Sequence, residues 1–275
     1  MRIDFFSPVH DSGGRAATPR SAQPAGSVCF PTYIFEYGTN RRSAKVSAAT
    51  AVTPRQEKAP SFWQSTNGKK VVMAVTGAIM FAFIIGHVAG NLQIFEGPAK
   101  LNAYGHFLHS IGEILWVVRA VLIVSVILHI TATVQLALRN QAARPVGYSR
   151  KQAINSSYAS RTMYWSGPIV LAFLIFHLLQ FTAGYIHPES RFIEGDVYHN
   201  VVAGFRVWWV SVWYIFAVSL LGLHLRHGIW SMFQSIGYNH PRHTPILKNA
   251  ALVIAVLITL GYISIPISVL AGIVK

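Results

Sequence analysis

The stretch FAFIIGHVAGNLQIF, Phe81 to Phe95, sets a histidine inside an otherwise apolar run. A run of about 20 apolar residues is long enough to cross a hydrocarbon core of ~30 Å as a helix, at ~1.5 Å per residue. His87 is therefore an ionisable side chain at membrane depth, where such groups are costly and need a reason. Working outward from it, the chain shows five runs of this kind, at about 71–95, 112–138, 163–186, 205–235 and 249–274. The second and fourth exceed the minimum, which implies tilt or protrusion. The composition agrees: 52% of the 275 residues are hydrophobic and 12% are charged. The expected fold is an all-α membrane protein with five transmembrane helices, the first four forming a bundle.

The formal net charge is +14, and its distribution decides what it means. Residues 1–70 hold ten Lys/Arg and four acids. The connection between spans two and three carries Arg139, Arg144, Arg150, Lys151 and Arg161 with no acid, and the fourth connection carries Arg242 and Lys248. By contrast, the first connection has Glu96, Lys100 and Glu113, and the third has Glu189, Arg191, Glu194 and Asp196. This alternation is the positive-inside pattern, with the N-terminus cytoplasmic and the C-terminus outside. The basic charge thus reports topology and calls for no nucleic-acid partner.

Residues 1–60 are rich in Ser, Ala, Arg, Pro and Gly without helical periodicity, and read as a basic, disordered or loosely ordered extension. The Arg/Ser bias fits a transit peptide, against which Asp4, Asp11 and Glu36 speak, and fits a misassigned upstream start equally well. No short apolar core with a cleavage site marks a secretory signal. Residues 61–275 form the membrane domain. Its lead-in, SFWQSTNGKK, offers Phe62 and Trp63 to the headgroup boundary and Lys69 and Lys70 to anionic lipid. The single cysteine, Cys29, excludes an internal disulfide, a Cys-x-x-Cys-His attachment site and a four-cysteine iron–sulfur cluster within this chain.

Twelve histidines are present. His10, His187, His199, His240 and His243 lie in tails or loops, and His106 and His109 lie just before span two. The others lie in spans: His87, His129 and His177 singly, and His224 with His227 in span four. A single buried histidine is most often a hydrogen-bonded helix contact. Four helices with one mid-span histidine each point elsewhere, because neutral imidazole ligates haem iron and two facing imidazoles saturate one iron. Four such residues suggest two haems in a four-helix bundle. Counting residues from the span ends puts His87 and His177 nearer the outer face, and His129 and His224 nearer the inner face. The count separates the two levels by about 8 Å.

An internal repeat adds to this. Span one reads TGAIMFAFIIGH and span three SGPIVLAFLIFH: a hydroxyl residue, a glycine, nine residues, then the histidine. Thr76 and Ser166 stand close to three whole turns before His87 and His177, on the same face and ~16 Å away in depth. Gly77 and Gly167 would leave room for a flat macrocycle, although small residues are also common at plain membrane helix contacts. In span four, His224 is the deeper of two candidates, with His227 and Arg226 nearer the inner surface, where either could meet propionates.

The segments GHVAGN, ILHITA, IFHLLQ and GLHLRHGIWSMFQSIG resemble the dihaem cytochrome b subunit, of the b558 type, of succinate dehydrogenase/fumarate reductase. The resemblance covers residues 61–275 and includes AYGHFLHSIGEI entering span two. It implies two haems b, with His87 and His177 on the outer iron and His129 and His224 on the inner. It implies a multi-pass anchor in the bacterial cytoplasmic (inner) membrane for two hydrophilic partners, a flavoprotein that oxidises succinate and an iron–sulfur subunit. Electrons would pass through the haems to or from a quinone, usually menaquinone, and a higher oligomer is compatible with this. One departure is Gly222: some dihaem fumarate reductases carry a glutamate there as a proton path, which is not expected here.

A quinone site needs an apolar slot with proton-exchanging groups near a haem edge. On the outer side His106, His109, Glu113 and Arg119 are candidates, with Arg119 alternatively holding propionates and Glu113 alternatively in an ion pair. An inner site could use Gln64, Ser65 or Lys69. Two rivals share the apolar pattern. One is the b-type cytochrome anchor of a hydrogenase, formate dehydrogenase or nitrate reductase; the other is a haem-free transporter with a histidine proton relay.

Overall fold

The computed structural model describes residues 61–143, 158–187 and 192–275. The extension 1–60 and the loop residues Arg144, Arg150, Lys151, Glu189 and Arg191 lie outside the described residues. Among the described residues the chain is helical and contains no strand. Seven α-helices follow in order: α1 (Thr66–Asn91), α2 (Pro98–Ser110), α3 (Glu113–Ala142), α4 (Tyr158–His177), α5 (Val197–Arg206), α6 (Trp208–Ser235) and α7 (Thr244–Leu270). A 3₁₀ turn at Leu92–Glu96 extends α1, and a π turn at Leu178–Thr182 extends α4.

Five of these helices, α1, α3, α4, α6 and α7, are long and apolar enough to cross a membrane. Their apolar side chains point outward as well as inward. On α3, Trp116, Val117, Ile123 and Ile127 are all exposed, and only Ser125, Ala132 and Leu136 are buried. A helix that is apolar all round belongs in lipid, where its backbone groups are satisfied internally.

Local chemistry sets the helix ends. Ser65 starts α1: its hydroxyl accepts from Gly68 N at 2.8 Å and donates to Phe62 O at 2.9 Å, so it satisfies an otherwise orphan N–H. Asp196 starts α5, accepting from His199 N at 2.9 Å. Pro98 opens α2 directly after Gly97, the favoured place for proline. The two short helices α2 and α5 occupy connections that the hydropathy pattern reads as loops. They pack on each other, tied by Asn102, which donates to Asp196 Oδ1 and accepts from Tyr198 N, both at 2.9 Å.

The long helices pack unevenly. α1 lies against α3 and α6; α4 lies against α6; α6 lies along α7. α3 has no extended packing on α6, nor α1 on α4. Two apolar cores result. One gathers Ile94, Leu101, Val202, Phe205, Val210, Tyr214 and Ile265 at the end capped by α2 and α5. The other, formed by Leu225, Ile229, Ala251, Ala255 and Ile258, joins α6 to α7. At this second seam Gly222 packs closely on Thr259, whose side chain would have to move to admit a Cβ.

Candidate metal centres

The span histidines meet in two pairs. The rings of His87 (α1) and His177 (α4) stand 5.8 Å apart, centre to centre, nearly perpendicular. Those of His129 (α3) and His224 (α6) stand 6.4 Å apart at 51°. Each pair therefore joins two helices that do not pack extensively on each other. Two imidazoles on opposite sides of one metal, each nitrogen about 2 Å from it, would have ring centres about 6 Å apart. Among the described residues no group of three or more His, Cys, Asp or Glu is placed to hold a metal ion. The donor sets on offer are these two-imidazole pairs.

The hydrogen-bond network fixes one ring in each pair. His129 Nδ1 lies 3.2 Å from Met73 O and 3.2 Å from Thr76 Oγ1. A carbonyl can only accept, and the Thr76 hydroxyl already donates to Val72 O at 2.7 Å. Nδ1 is therefore the protonated nitrogen, and Nε2 keeps its lone pair for a metal. His177 Nδ1 lies 3.3 Å from the Tyr214 hydroxyl, which donates to Gln180 Oε1 at 2.9 Å. That assigns the same tautomer to His177. Holding the distal N–H in this way orients a ligating imidazole and raises its basicity.

The other two rings are held differently. His87 stacks on Phe83, with ring centres 5.2 Å apart, and tilts against Tyr262 at 6.1 Å. His224 Nδ1 is buried without a partner. Phe173, Phe181 and Tyr214 also adjoin His177, so the first pair sits in an aromatic shell. Among the described residues the second pair has no such shell.

The depth spacing differs from the count made from the span ends. Met73 and Thr76 touch His129, so the second pair lies level with residues 73–76 of α1, eleven to fourteen residues from His87. At 1.5 Å per residue the pairs are about 16–21 Å apart, not about 8 Å. The reason is that the runs do not end at one level. Arg139, just past the end of the second run, bonds Gln64 O, seven residues before the first run begins, so counting from the run ends places His129 too close to His87.

The remaining candidates fall as follows. Gly77 faces His129: a Cβ there would lie 3.5 Å from His129 Cε1, an ordinary contact. A Cβ on Gly167 would meet nothing within 4 Å. Ser166 is fully buried and its Oγ has no partner. Arg226 and His227 are half-buried. His106, His109 and Glu113 are exposed, and Arg119 stacks on Trp116, 4.9 Å from the ring centre. No hydrogen bond or ion pair among the described residues joins any two of these last four. At the opposite end Lys69 donates to Trp63 O and sits over the Trp63 ring, while Arg139 donates to Gln64 O at 2.6 Å. Gln64, Ser65 and Lys69 thus gather at the start of α1, where the Trp63 and Gln64 carbonyls take up the two cations.

Sequence reasoning missed Tyr214, Gln180 and the Met73 carbonyl. Gln180 carried a signal, as a polar residue one turn past His177 in an apolar run. Tyr214 is one aromatic among many, and a backbone acceptor leaves no trace in side-chain chemistry. Compared with protein-family models, with curated proteins and with solved structures, the chain finds no match.

Proposed function

We propose that this chain is the membrane-anchor cytochrome b subunit of a succinate:quinone oxidoreductase, with two bis-histidine haems b. The observation that carries the reading is the pair of imidazole couples, with ring centres 5.8 and 6.4 Å apart, close enough for each couple to share one iron. In each couple one distal N–H is already held. The donor set fits the group: imidazoles in an apolar interior, with Nε2 free to ligate on His129 and His177. Gly167 adds open space beside α4. Haem iron in these positions would carry one electron at a time between a partner's iron–sulfur cluster and a quinone.

The chain's own residues do the rest. His87 and His177 would hold one iron nearer the end capped by α2 and α5, and His129 and His224 the other. Met73 O, Thr76 and Tyr214 keep imidazoles in the ligating tautomer. Phe83, Phe173, Phe181 and Tyr262 keep water from the first pair. With the α2/α5 end outside, the exposed His106, His109 and Glu113 would exchange protons with external water during quinone turnover. The opposite, basic end would receive the iron–sulfur and flavoprotein subunits from the cytoplasmic side.

The test is a dithionite-reduced minus oxidised spectrum of the purified chain. A b-type α band is expected, and a colourless protein overturns the reading. Co-purification of a flavoprotein is expected as well. Recovery with a molybdenum or nickel enzyme would keep the haems and move the chain to another respiratory complex.

A further inference from the structure

α1 and α3 lie against each other and leave a trough of about 540 Å³ along their outward side. Its walls are mostly apolar, with Phe62, Val72 and Val75 on one side and Val121, Val124 and Leu128 on the other. All of these but Val72 are exposed. Phe62 stands at the end nearest the start of α1, and the next two residues carry a pair of cations. Lys69 donates to Trp63 O and sits over the Trp63 ring, 4.9 Å from its centre. Arg139 Nη1 donates to Gln64 O at 2.6 Å. Two positive charges are thus held on neighbouring carbonyls. Among the described residues neither has an acidic partner, since the one ion pair there joins Lys100 to Glu96. Lys69 is buried and Arg139 is exposed, so the arginine presents their joint charge.

Arg139 lies on the trough's own face of α3. It follows Val121 by eighteen residues, about five whole turns, and Leu128 by eleven, about three. A molecule whose head meets Arg139 can therefore lay a chain along one stripe for about 27 Å toward Val121. We propose that α1 and α3 form a site for an anionic phospholipid. Its phosphate sits on the Arg139 guanidinium, with the Lys69 charge behind it, and one acyl chain fills the trough. A guanidinium suits phosphate because its N–H donors form a planar fork, and the bond to Gln64 O occupies only one of five. The phosphate offsets a like-charge repulsion that the fold leaves uncompensated. A zwitterionic lipid brings its own cation to the same place and gains less. The site requires the membrane span but not the haems.

The test is native mass spectrometry of the full chain, reconstituted in nanodiscs of equal phosphatidylglycerol and phosphatidylcholine and then stripped stepwise with detergent. One phosphatidylglycerol should outlast every phosphatidylcholine. Arg139→Gln should lower its retention about fivefold, the worth of one cation near a headgroup. Val124→Phe fills the trough from its exposed wall and keeps both cations. It should also lower that retention, and it decides the matter if Arg139→Gln does not accumulate. Lys248→Gln removes a cation that sits over Trp230 on α7, away from the trough, and should change nothing. Equal retention of the two lipids by the unmodified chain overturns the proposal, as does a phosphatidylglycerol that neither trough variant loosens. An equal loss in Lys248→Gln overturns it too, because the charge of the whole surface would then be responsible. None of these readings uses the α band, so this proposal and the haem reading fail separately.

Discussion

The two histidine pairs are built from different materials. The pair His87/His177 stands among aromatic rings, under the core that α2 and α5 close over it. The pair His129/His224 leans on a backbone carbonyl and a hydroxyl, beside helices that are mostly open to lipid. Iron held in two such settings would differ in potential, because burial and hydrogen bonding to the ligands are the levers a protein has over it. The difference teaches that two pairs of the same ligand can stand in unlike surroundings. One pair faces the packed end of the molecule and the other does not.

The largest expected effect breaks the comparison outright. His129→Ala and His224→Ala should each abolish one spectroscopic centre, and His87→Ala and His177→Ala the other, read from the α band and from electron paramagnetic resonance. A crossed pattern would overturn the pairing. Next in size is Gly204→Ala. Its Cβ would lie 2.9 Å from Gln180 Nε2 and 3.1 Å from Phe181 Cζ, beneath the His177 ring. Overpacking of this kind costs about 1–3 kcal/mol. A lowered Tm is expected, with the spectrum of the first centre disturbed and the second untouched.

Tyr214→Phe is subtler. It removes the acceptor of the His177 Nδ1–H and strands Gln180, so the first centre's potential should rise in a redox titration. Thr76→Val should move the second centre less, because the Met73 carbonyl remains. The smallest effect concerns the cap over the first pair. Hydrogen bonds from His199 N and Asn102 hold the Asp196 carboxyl below its usual range, against a smaller opposing push from burial. A carboxylate with a lowered folded-state pKa stabilises the fold fully above its unfolded value, and that contribution is lost as pH falls through the folded value. Protection of the α5 amides, taken relative to intrinsic exchange at each pH, should therefore fall in acid. Asp196→Ala should cost about 1 kcal/mol at neutral pH and flatten the acid dependence.

The sequence makes the five long helices plain, because about 20 apolar residues leave few alternatives. The apolar runs are shorter than the helices. Thr66 to Lys70 and Arg139 to Ala142 are polar yet helical, since a helix does not stop where its side chains turn polar. The helices α2 and α5 escape hydropathy for a different reason. Each is short and half-polar, and is held by Asn102 and Asp196 through contacts that only the fold creates. For the candidate centres, the depth argument couples His87 with His177 and His129 with His224, and the same rings adjoin in the structure. The partners of those rings were less legible: Tyr214 reaches His177 from another helix, and Met73 acts through its backbone.

Each imidazole couple bridges helices that otherwise scarcely touch, and α3 relies on α1 almost alone. A porphyrin clasped between them would work as a tie-rod across a frame with a missing wall. Cells starved of the pigment would then insert a chain whose third helix can swing into the lipid. Quality-control proteases could recognise the splayed form, so that pigment supply would govern how much of the chain survives.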